Sequence, residues 1–526
     1  MNPKEILKYC IEKGVLIDSG ALNLLKETGD SESTKLIIEK LRTHSQKKVI
    51  TRTLFEQNKE EINKLFLELP NKNQKSLESL KIKLGLEIEI SRVSSFDSSL
   101  HKGVGQVLIE HNFPEKESNV KIMPMNFSFK KKIEVSDFVK NFKNRFTELR
   151  NILQDRKELE NLISINKLSK SQKSSIIGIV YAKRITKNKN LLLDVEDLTG
   201  TTRVLINQNN PELYKQAEEI SLDSTLGFSG FGDREIFFAN NLVFPDAAIF
   251  EKKNSPEEEY AIFMGDIHYG SKLFLAENFD KFINYLNGKF PNTPEVDKIK
   301  YLFLVGDIVS GVGIYPSQQK GLNIDDIEEQ FEGIANLLKK IRKDIKIIIS
   351  PGNHDGVRLL EPQPFIDEKY AWPLYNMENV IMTGNPARIN IGAKENFSGF
   401  DILTYHGFSY PYYANNIPAF LEKGLNAPEK IMAYILKNRH LAPTYSSAQF
   451  VPFEEDQLVM KNVPDVFVSG HSHKCAVASY NNVLLISAAT WESKTEFQEK
   501  MGNEPDFCKV PMLNLKTRAI KILDFE

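Results

Sequence analysis

Between residues 256 and 526, short apolar runs alternate with amphipathic stretches. YAIFM, YLFLV, IKIIIS, DILTY and DVFVS are each five or six residues long. Their length and mainly apolar character predict buried strands. Among them, NIDDIEEQFEGIANLLKKIRKD carries Ile327, Phe331, Ile334, Leu338 and Ile341 on one helical face,. The alternation indicates an α/β domain filling 256–526. The charged, proline-containing stretch EKKNSPEEE at 251–259 marks its upstream boundary,.

Upstream the periodicity changes. Residues 1–68 repeat apolar positions at helical spacing in EILKYCIEKGVL, ALNLLKE and STKLIIEKLRTH, with Asp30 and Ser31 as N-cap candidates, and predict a helical interaction module,. Residues 69–135 are polar without sustained periodicity and read as linker or irregular surface,. A basic helical segment covers 136–170. From 171 to 250 about five short strands follow, with Thr199-Gly200 as a hairpin signal and Gly178 and Gly230 inside strands,. That trace suits an OB-type barrel, and a bare antiparallel sandwich would leave a similar one.

Composition narrows the class without choosing a function. At 526 residues the chain exceeds one hydrophobic core,. No apolar run reaches the roughly 18 residues needed to span a bilayer, and the N-terminus lacks a signal-peptide pattern, so a cytoplasmic protein with no membrane partner is expected. Cys10, Cys475 and Cys508 form no CxxC pair, which argues against a disulfide framework or a zinc knuckle,. The net charge of -2 means that any nucleic-acid contact must come from local patches,.

Chemistry collects at the ends of the five runs. They finish in Gly265-Asp266-Ile267-His268, Gly306-Asp307, Gly352-Asn353-His354-Asp355, Tyr405-His406-Gly407 and Gly470-His471-Ser472-His473. A Gly-Asp after a strand is by itself most often a turn, and a lone histidine most often a core residue. Five such clusters at the carboxyl ends of strands point to a metal-centred site. Nitrogen and oxygen donors without thiolate suit Mn²⁺, Fe or Zn²⁺. The donors exceed what one ion needs, whereas two ions about 3.5–4 Å apart use them and need a bridging anion. Asp307, the only acid of its cluster, is the natural bridge.

In this order, Asp-x-His, Gly-Asp, Gly-Asn-His-Asp, His-Gly and Gly-His-x-His resemble the calcineurin-like metallophosphoesterases over roughly residues 258–500. The resemblance implies a β-sandwich flanked by helices and two divalent ions, Mn²⁺ first, with Fe, Zn²⁺ or Mg²⁺ as the other candidates. It assigns one ion to Asp266, His268, Asp307 and His473, and the other to Asp307, Asn353, His406 and His471. His354 is left to stabilise the transition state and to protonate the leaving oxygen, with Asp355 orienting its imidazole; a turn-forming Asp355 is the plainer alternative.

The flanking segments narrow the resemblance. The OB-like region, the N-terminal helical module and the phrases HLAPTYSS (440–447) and VPFEEDQLV (451–459) are similar to the polymerase B-subunit family, in particular to small subunits of archaeal family D DNA polymerases. That similarity implies a proofreading 3′–5′ exonuclease acting on DNA with a 3′ end, a large catalytic subunit as partner, and a sliding clamp reached through the complex. It also sets three rivals: a stand-alone repair nuclease, a phosphoprotein phosphatase, and a scaffold subunit with little activity alone. For DNA contact the candidates are Lys183, Arg184, Lys187 and Lys189 on an OB-like hairpin, Tyr181, Phe228 or Phe231 for stacking, and His440, Arg388 and Tyr410 lining a channel,.

Overall fold

A computed structural model describes residues 3–18, 21–22, 34–35, 38–39, 49–50, 120–125, 127, 132–169 and 173–526, and divides the chain into two compact units, Met1–Asn112 and Phe113–Glu526. In the first unit a helix, Pro3–Glu12, buries Ile6 and Cys10. After it, β1 (Leu16–Ile17) pairs in parallel with β2 (Val49–Ile50). The helical reading of 1–68 therefore acquires a short parallel strand pair. Asp30, Ser31 and the linker stretch 69–119 lie outside the described residues.

The second unit begins with a departure from the sequence reading. Val120–Ile122, placed in the irregular linker, forms β3. It is too short to show an alternating pattern, and its partner is remote in sequence. The helix Val135–Gln154 follows, and then a closed barrel of β4 (Ser174–Ile185), β5 (Leu191–Asp197), β6 (Gly200–Ile206), β7 (Thr225–Gly232) and β8 (Ile236–Val243). The order around it is β4-β5-β6-β8-β7, which replaces the open-sandwich alternative. The tight connection between β5 and β6 is Leu198-Thr199, with Gly200 already opposite Asp197 in the ladder.

Residues 260–524, together with β3, form two mixed six-stranded sheets. One is β9 (Tyr260–Met264), β10 (Ile299–Val305), β11 (Lys346–Ser350), β12 (Val380–Met382), β18 (Lys509–Asn514) and β19 (Ile520–Asp524), ordered β12-β11-β10-β9-β18-β19. The other, ordered β16-β17-β15-β14-β13-β3, joins β3 to β13 (Ala387–Ile391), β14 (Phe400–Tyr405), β15 (Val466–Ser469), β16 (Ala476–Tyr480) and β17 (Val483–Ser487).

Phe263, Phe303 and Val305 of the first sheet meet Ile389, Ile402, Val468 and Ile486 of the second in one apolar layer. Leu302 and Leu304 point the other way, onto Phe279, Phe282, Phe331 and Ile334 of the helices Ala276–Leu286 and Ile327–Leu338. Strands covered on both faces must be apolar at every position, which is why these runs do not alternate. The second sheet is likewise covered by Tyr413, Ile431 and Ile435 of the helices Tyr410–Asn416 and Pro428–Asn438. Among the described residues no helix is long and apolar enough to cross a membrane.

The helix Val135–Gln154 ties barrel to sandwich. Its Phe146 and Leu153 pack with Ile177, Ile179 and Val243 of the barrel. Toward the sandwich the wholly buried Arg145 donates from Nε to Asp456 at 2.6 Å and from Nη1 to the Pro443 carbonyl at 2.7 Å. The same Asp456 carboxylate faces His440 Nε2 at 3.0 Å. Residues 440–447 and 451–459 are thus the seat of this helix.

Removing one member of a buried ion pair leaves the other charge without compensation, so Arg145→Ala should destabilise the fold by about 3–5 kcal/mol in denaturant unfolding. Burial and the Arg145 charge push the His440 imidazole down to about 4. Burial works against the charge on Asp456, but Arg145 outweighs it and holds the carboxyl well below its usual range. Both groups are depressed in the fold. The stability that they confer is complete above about pH 6.5 and declines, first through His440 and then through Asp456, as the pH falls. Unfolding midpoints measured from pH 7 to 4 should fall steadily, and less steeply in His440→Gln.

Candidate metal centre

Each cluster leaves its strand at the same end of the sandwich, so the two sheets deliver their polar loops to one place. Side-chain donors of Asp266, His268 and His473 lie within 4.8 Å of one another, as do those of His268, Asp307 and His354, and those of Asp307, His406 and His471. Nε2 of His268 and His473 are 3.1 Å apart, and His473 Nε2 is 3.6 Å from Asp266 Oδ1. His406 Nε2 is 3.1 Å from Asp307 Oδ2 and 3.1 Å from Asn353 Oδ1. His268 Nε2 stands 4.0 Å from Asp307 Oδ2, so Asp307 belongs to both halves.

Backbone geometry makes this convergence possible. Asp266, His268, Asp307, His471 and His473 all have positive φ, between 49° and 65°. For non-glycine residues that conformation costs on the order of 1 kcal/mol each, and a cluster of such residues marks a functional constraint more often than a folding one. Two glycines admit the ligands. A Cβ on Gly352 would collide with Asp307, and one on Gly306, at φ 81°, would collide with the His406 ring.

Second contacts orient the donors. His406 Nδ1 faces the Val305 carbonyl at 2.9 Å and donates to it, leaving Nε2 for the centre,. The Asp266 carboxylate accepts from the His471 N–H at 3.0 Å, and Asp307 Oδ1 from the His354 N–H at 2.8 Å. Burial holds His268 well below its ordinary value, and brings His471 to about 3 and His473 to about 4, so these rings are neutral bases. Burial opposes charging of His406, but the Asp307 carboxylate beside it raises it to about 10. Burial raises Asp266 well above its ordinary value. Burial also disfavours the Asp307 charge, yet His406 and His354 outweigh it and keep that carboxyl low.

These donors fit divalent ions. Neighbouring ligands with bonds of about 2.1 Å stand about 3.0–3.4 Å apart, the range in which the closest pairs here lie. Neutral imidazoles, carboxylates and an amide oxygen, without thiolate, form the nitrogen and oxygen set expected for Mn²⁺, Fe or Zn²⁺. Cation binding requires deprotonated donors, so loading would remove the protons that the Asp307 charge favours on His406 and that burial favours on Asp266,.

His354 stands beside the cluster, its ring edge-on to His268 with centroids 4.8 Å apart. Its orienting partner is not the expected one. Asp355 is completely buried, and its carboxylate accepts from the N–H groups of Ile308, Val309 and Gly352 at 2.7–3.1 Å. Burial and the Asp307 charge push its carboxyl up to about 6. Asp355 is therefore the loop-forming residue of the plainer reading. His354 Nδ1 instead faces the Ser310 carbonyl at 2.7 Å, which also accepts from Gln318 Nε2 at 2.8 Å. A backbone oxygen leaves no side-chain signature, so the sequence could not reveal Ser310.

Several DNA-contact candidates are committed elsewhere. His440 is buried against Asp456, and Phe228 and Tyr410 are buried in the barrel and under the second sheet. Lys183 donates to the Glu218 and Ile220 carbonyls at 2.7 and 2.9 Å, closing the end of the helix Pro211–Glu218, and burial brings it to about 8. Arg184 pairs with Asp194 across β4 and β5 at 2.7 Å, and Arg388 with Asp401 at 3.0 Å. Each satisfies a neighbour that hairpin position alone cannot disclose. Tyr181 and Phe231 are exposed, as are Lys187 and Lys189 in the β4–β5 turn.

Comparison with known proteins agrees with the family resemblance drawn from the sequence. Residues 261–477, which contain the whole donor set, match the model of the family described as the DNA polymerase alpha/epsilon B-subunit. The chain is 37% identical over 459 residues to the DNA polymerase II small subunit of Pyrococcus abyssi, covering 84% of this chain and 72% of the relative. With the small subunit of Pyrococcus furiosus it shares 37% identity over 75% of this chain, and there it spans 64% of the relative's length. A solved structure of an archaeal phosphodiesterase aligns with 50% of this chain and 98% of its own at 13% identity and a TM-score of 0.24, too low to support any argument. The chain belongs to the family of archaeal DNA polymerase II small subunits.

Proposed function

We propose that this chain is the phosphodiester-cleaving subunit of a two-subunit DNA polymerase. It removes nucleotides from the 3′ end of DNA and partners a large catalytic subunit that carries out synthesis. The observation that supports this most strongly is the convergence of seven donor residues from five strand ends, with Asp307 shared between the two halves and His354 beside them. Asp266, His268, Asp307 and His473 would hold one divalent ion and Asp307, Asn353, His406 and His471 the other, with Mn²⁺ the first candidate. Bound there, such ions supply Lewis acidity at the phosphoryl oxygens and make water acidic enough to attack at neutral pH.

The protein's own groups do the rest. Asp307, accepting from the His354 N–H, ties the loop carrying Asn353 and His354 to the donor cluster. The Ser310 carbonyl takes the Nδ1–H of His354, which fixes the ring and leaves Nε2 for the substrate. As water adds to phosphorus, losing a proton to solvent, and the bond to the 3′-oxygen breaks, His354 acting as the imidazolium gives its Nε2 proton to that oxygen and keeps its Nδ1–H on Ser310,. The products are a 5′-mononucleotide and a strand one nucleotide shorter with a free 3′-hydroxyl. With 5′-labelled single-stranded DNA and Mn²⁺, the expected result is a ladder receding from the 3′ end and release of 5′-mononucleotides, stopped by EDTA and restored by Mn²⁺. Internal cuts, or activity that survives EDTA, would contradict the reading.

A further inference from the structure

The side-chain amide of Gln498 meets two demands that conflict once a cation is bound. The helix Glu496–Met501 opens with a capping box: Thr495 Oγ1 accepts from the Gln498 N–H at 3.3 Å, and the Thr495 N–H donates to Gln498 Oε1 at 2.9 Å,. A backbone N–H can only donate, so this bond turns the amide oxygen toward Thr495 and the amide nitrogen toward His473. There Gln498 Nε2 stands 2.7 Å from His473 Nδ1. An amide nitrogen also only donates, so Nδ1 accepts, and the single hydrogen of the neutral ring sits on Nε2. It faces His268 Nε2, 3.1 Å away. Yet Nε2 is the His473 atom that belongs to the donor cluster, and an imidazole nitrogen binds a cation only through its lone pair.

We propose that Gln498 is a positioning residue for His473, holding the ring hydrogen on Nε2, and that loading a divalent ion turns the Gln498 amide over. The oxygen then accepts from His473 Nδ1–H, and the bond to the Thr495 N–H is given up. One hydrogen leaves Nε2 and one arrives at Nδ1 by exchange with water, so the ring stays neutral throughout. Cation binding and the helix cap therefore oppose each other by about one hydrogen bond. This inference rests on the metal reading given under the proposed function. A glutamate removes the conflict, because its two oxygens can accept from Thr495 and His473 together. Gln498→Glu should bind Mn²⁺ more tightly, against the usual direction of changes behind a metal ligand.

The test uses the full chain, with Mn²⁺ affinity read from the free-ion spin-resonance signal and deuterium exchange resolved at the Thr495 amide. In the wild type, loading should speed Thr495 exchange about fivefold. Gln498→Glu should lower the Mn²⁺ Kd about three- to tenfold and show slow exchange in both states. Gln498→Leu should exchange fast in both. Added charge alone could tighten binding, but it could not abolish the metal-linked change at Thr495. A wild type that binds Mn²⁺ with Thr495 exchange unaltered overturns the proposal while leaving the metal reading standing. A wild type that binds no divalent ion overturns both.

Discussion

Asp307→Ala should lose both divalent ions and all phosphodiester cleavage, leaving the fold in place. Asp307 stands between the two halves of the donor cluster, 3.1 Å from His406 Nε2 and 4.0 Å from His268 Nε2. Two cations at the spacing of a dinuclear centre repel strongly, and a bridging anion is what makes their joint occupancy possible. The same carboxylate accepts from the His354 N–H at 2.8 Å, so alanine also frees the loop that carries Asn353 and His354. Asp307→Asn separates these effects. It keeps an oxygen for that N–H and removes only the charge, and it should still fail to hold the pair. Metal content after dialysis, with far-ultraviolet circular dichroism to confirm folding, decides the matter. Retention of both ions by Asp307→Asn would contradict the bridging role.

His354→Ala should behave in the opposite way, retaining the ions and losing turnover by about 10²–10⁴-fold, the range that a positioned general acid supplies. His354 is adjacent to the donors without being one of the assigned ligands, and its Nδ1 is engaged by the Ser310 carbonyl at 2.7 Å. Its loss should therefore fall on kcat, with little change in Mn²⁺ affinity. Asp355→Asn sharpens the assignment. That carboxylate receives three backbone N–H groups and does not touch the imidazole, so the substitution should reduce stability and leave the chemistry of His354 largely in place. If His354→Ala and Asp307→Ala lost metal equally, the separation of their roles would be wrong.

What could be read from the sequence followed the range of the interactions involved. The five apolar runs announced their strands because burial on both faces leaves little room for polar positions, and the donors could be picked out because each stands one to four residues beyond a strand end. Adjacency in sequence offers Asp355 as a partner for His354, whereas the loop closes over 47 positions to give its carboxylate the N–H of Ile308. The Ser310 carbonyl and Gln498 are separated from the histidines they serve by 44 and 25 positions, and neither belongs to a motif. His440, Lys183 and Arg388 looked available because a charged or titratable residue on a loop or hairpin is usually solvated. Here tertiary contacts claimed them for a buried ion pair, a helix end and a cross-strand pair. Val120–Ile122 escaped notice because three residues carry no periodicity, and only the edge of β13 makes them a strand.

The most direct measurement of the central claim is digestion of a primer with a mismatched 3′ end, and of single-stranded DNA, by the purified chain in Mn²⁺ beside its His354→Ala variant. The expected result is stepwise shortening from the 3′ end by the wild type and none by a variant that still binds Mn²⁺. Shortening that persists unchanged in His354→Ala, or no cleavage of either substrate by a metal-loaded wild type even with its large-subunit partner added, would contradict the assignment of this site to 3′-end removal.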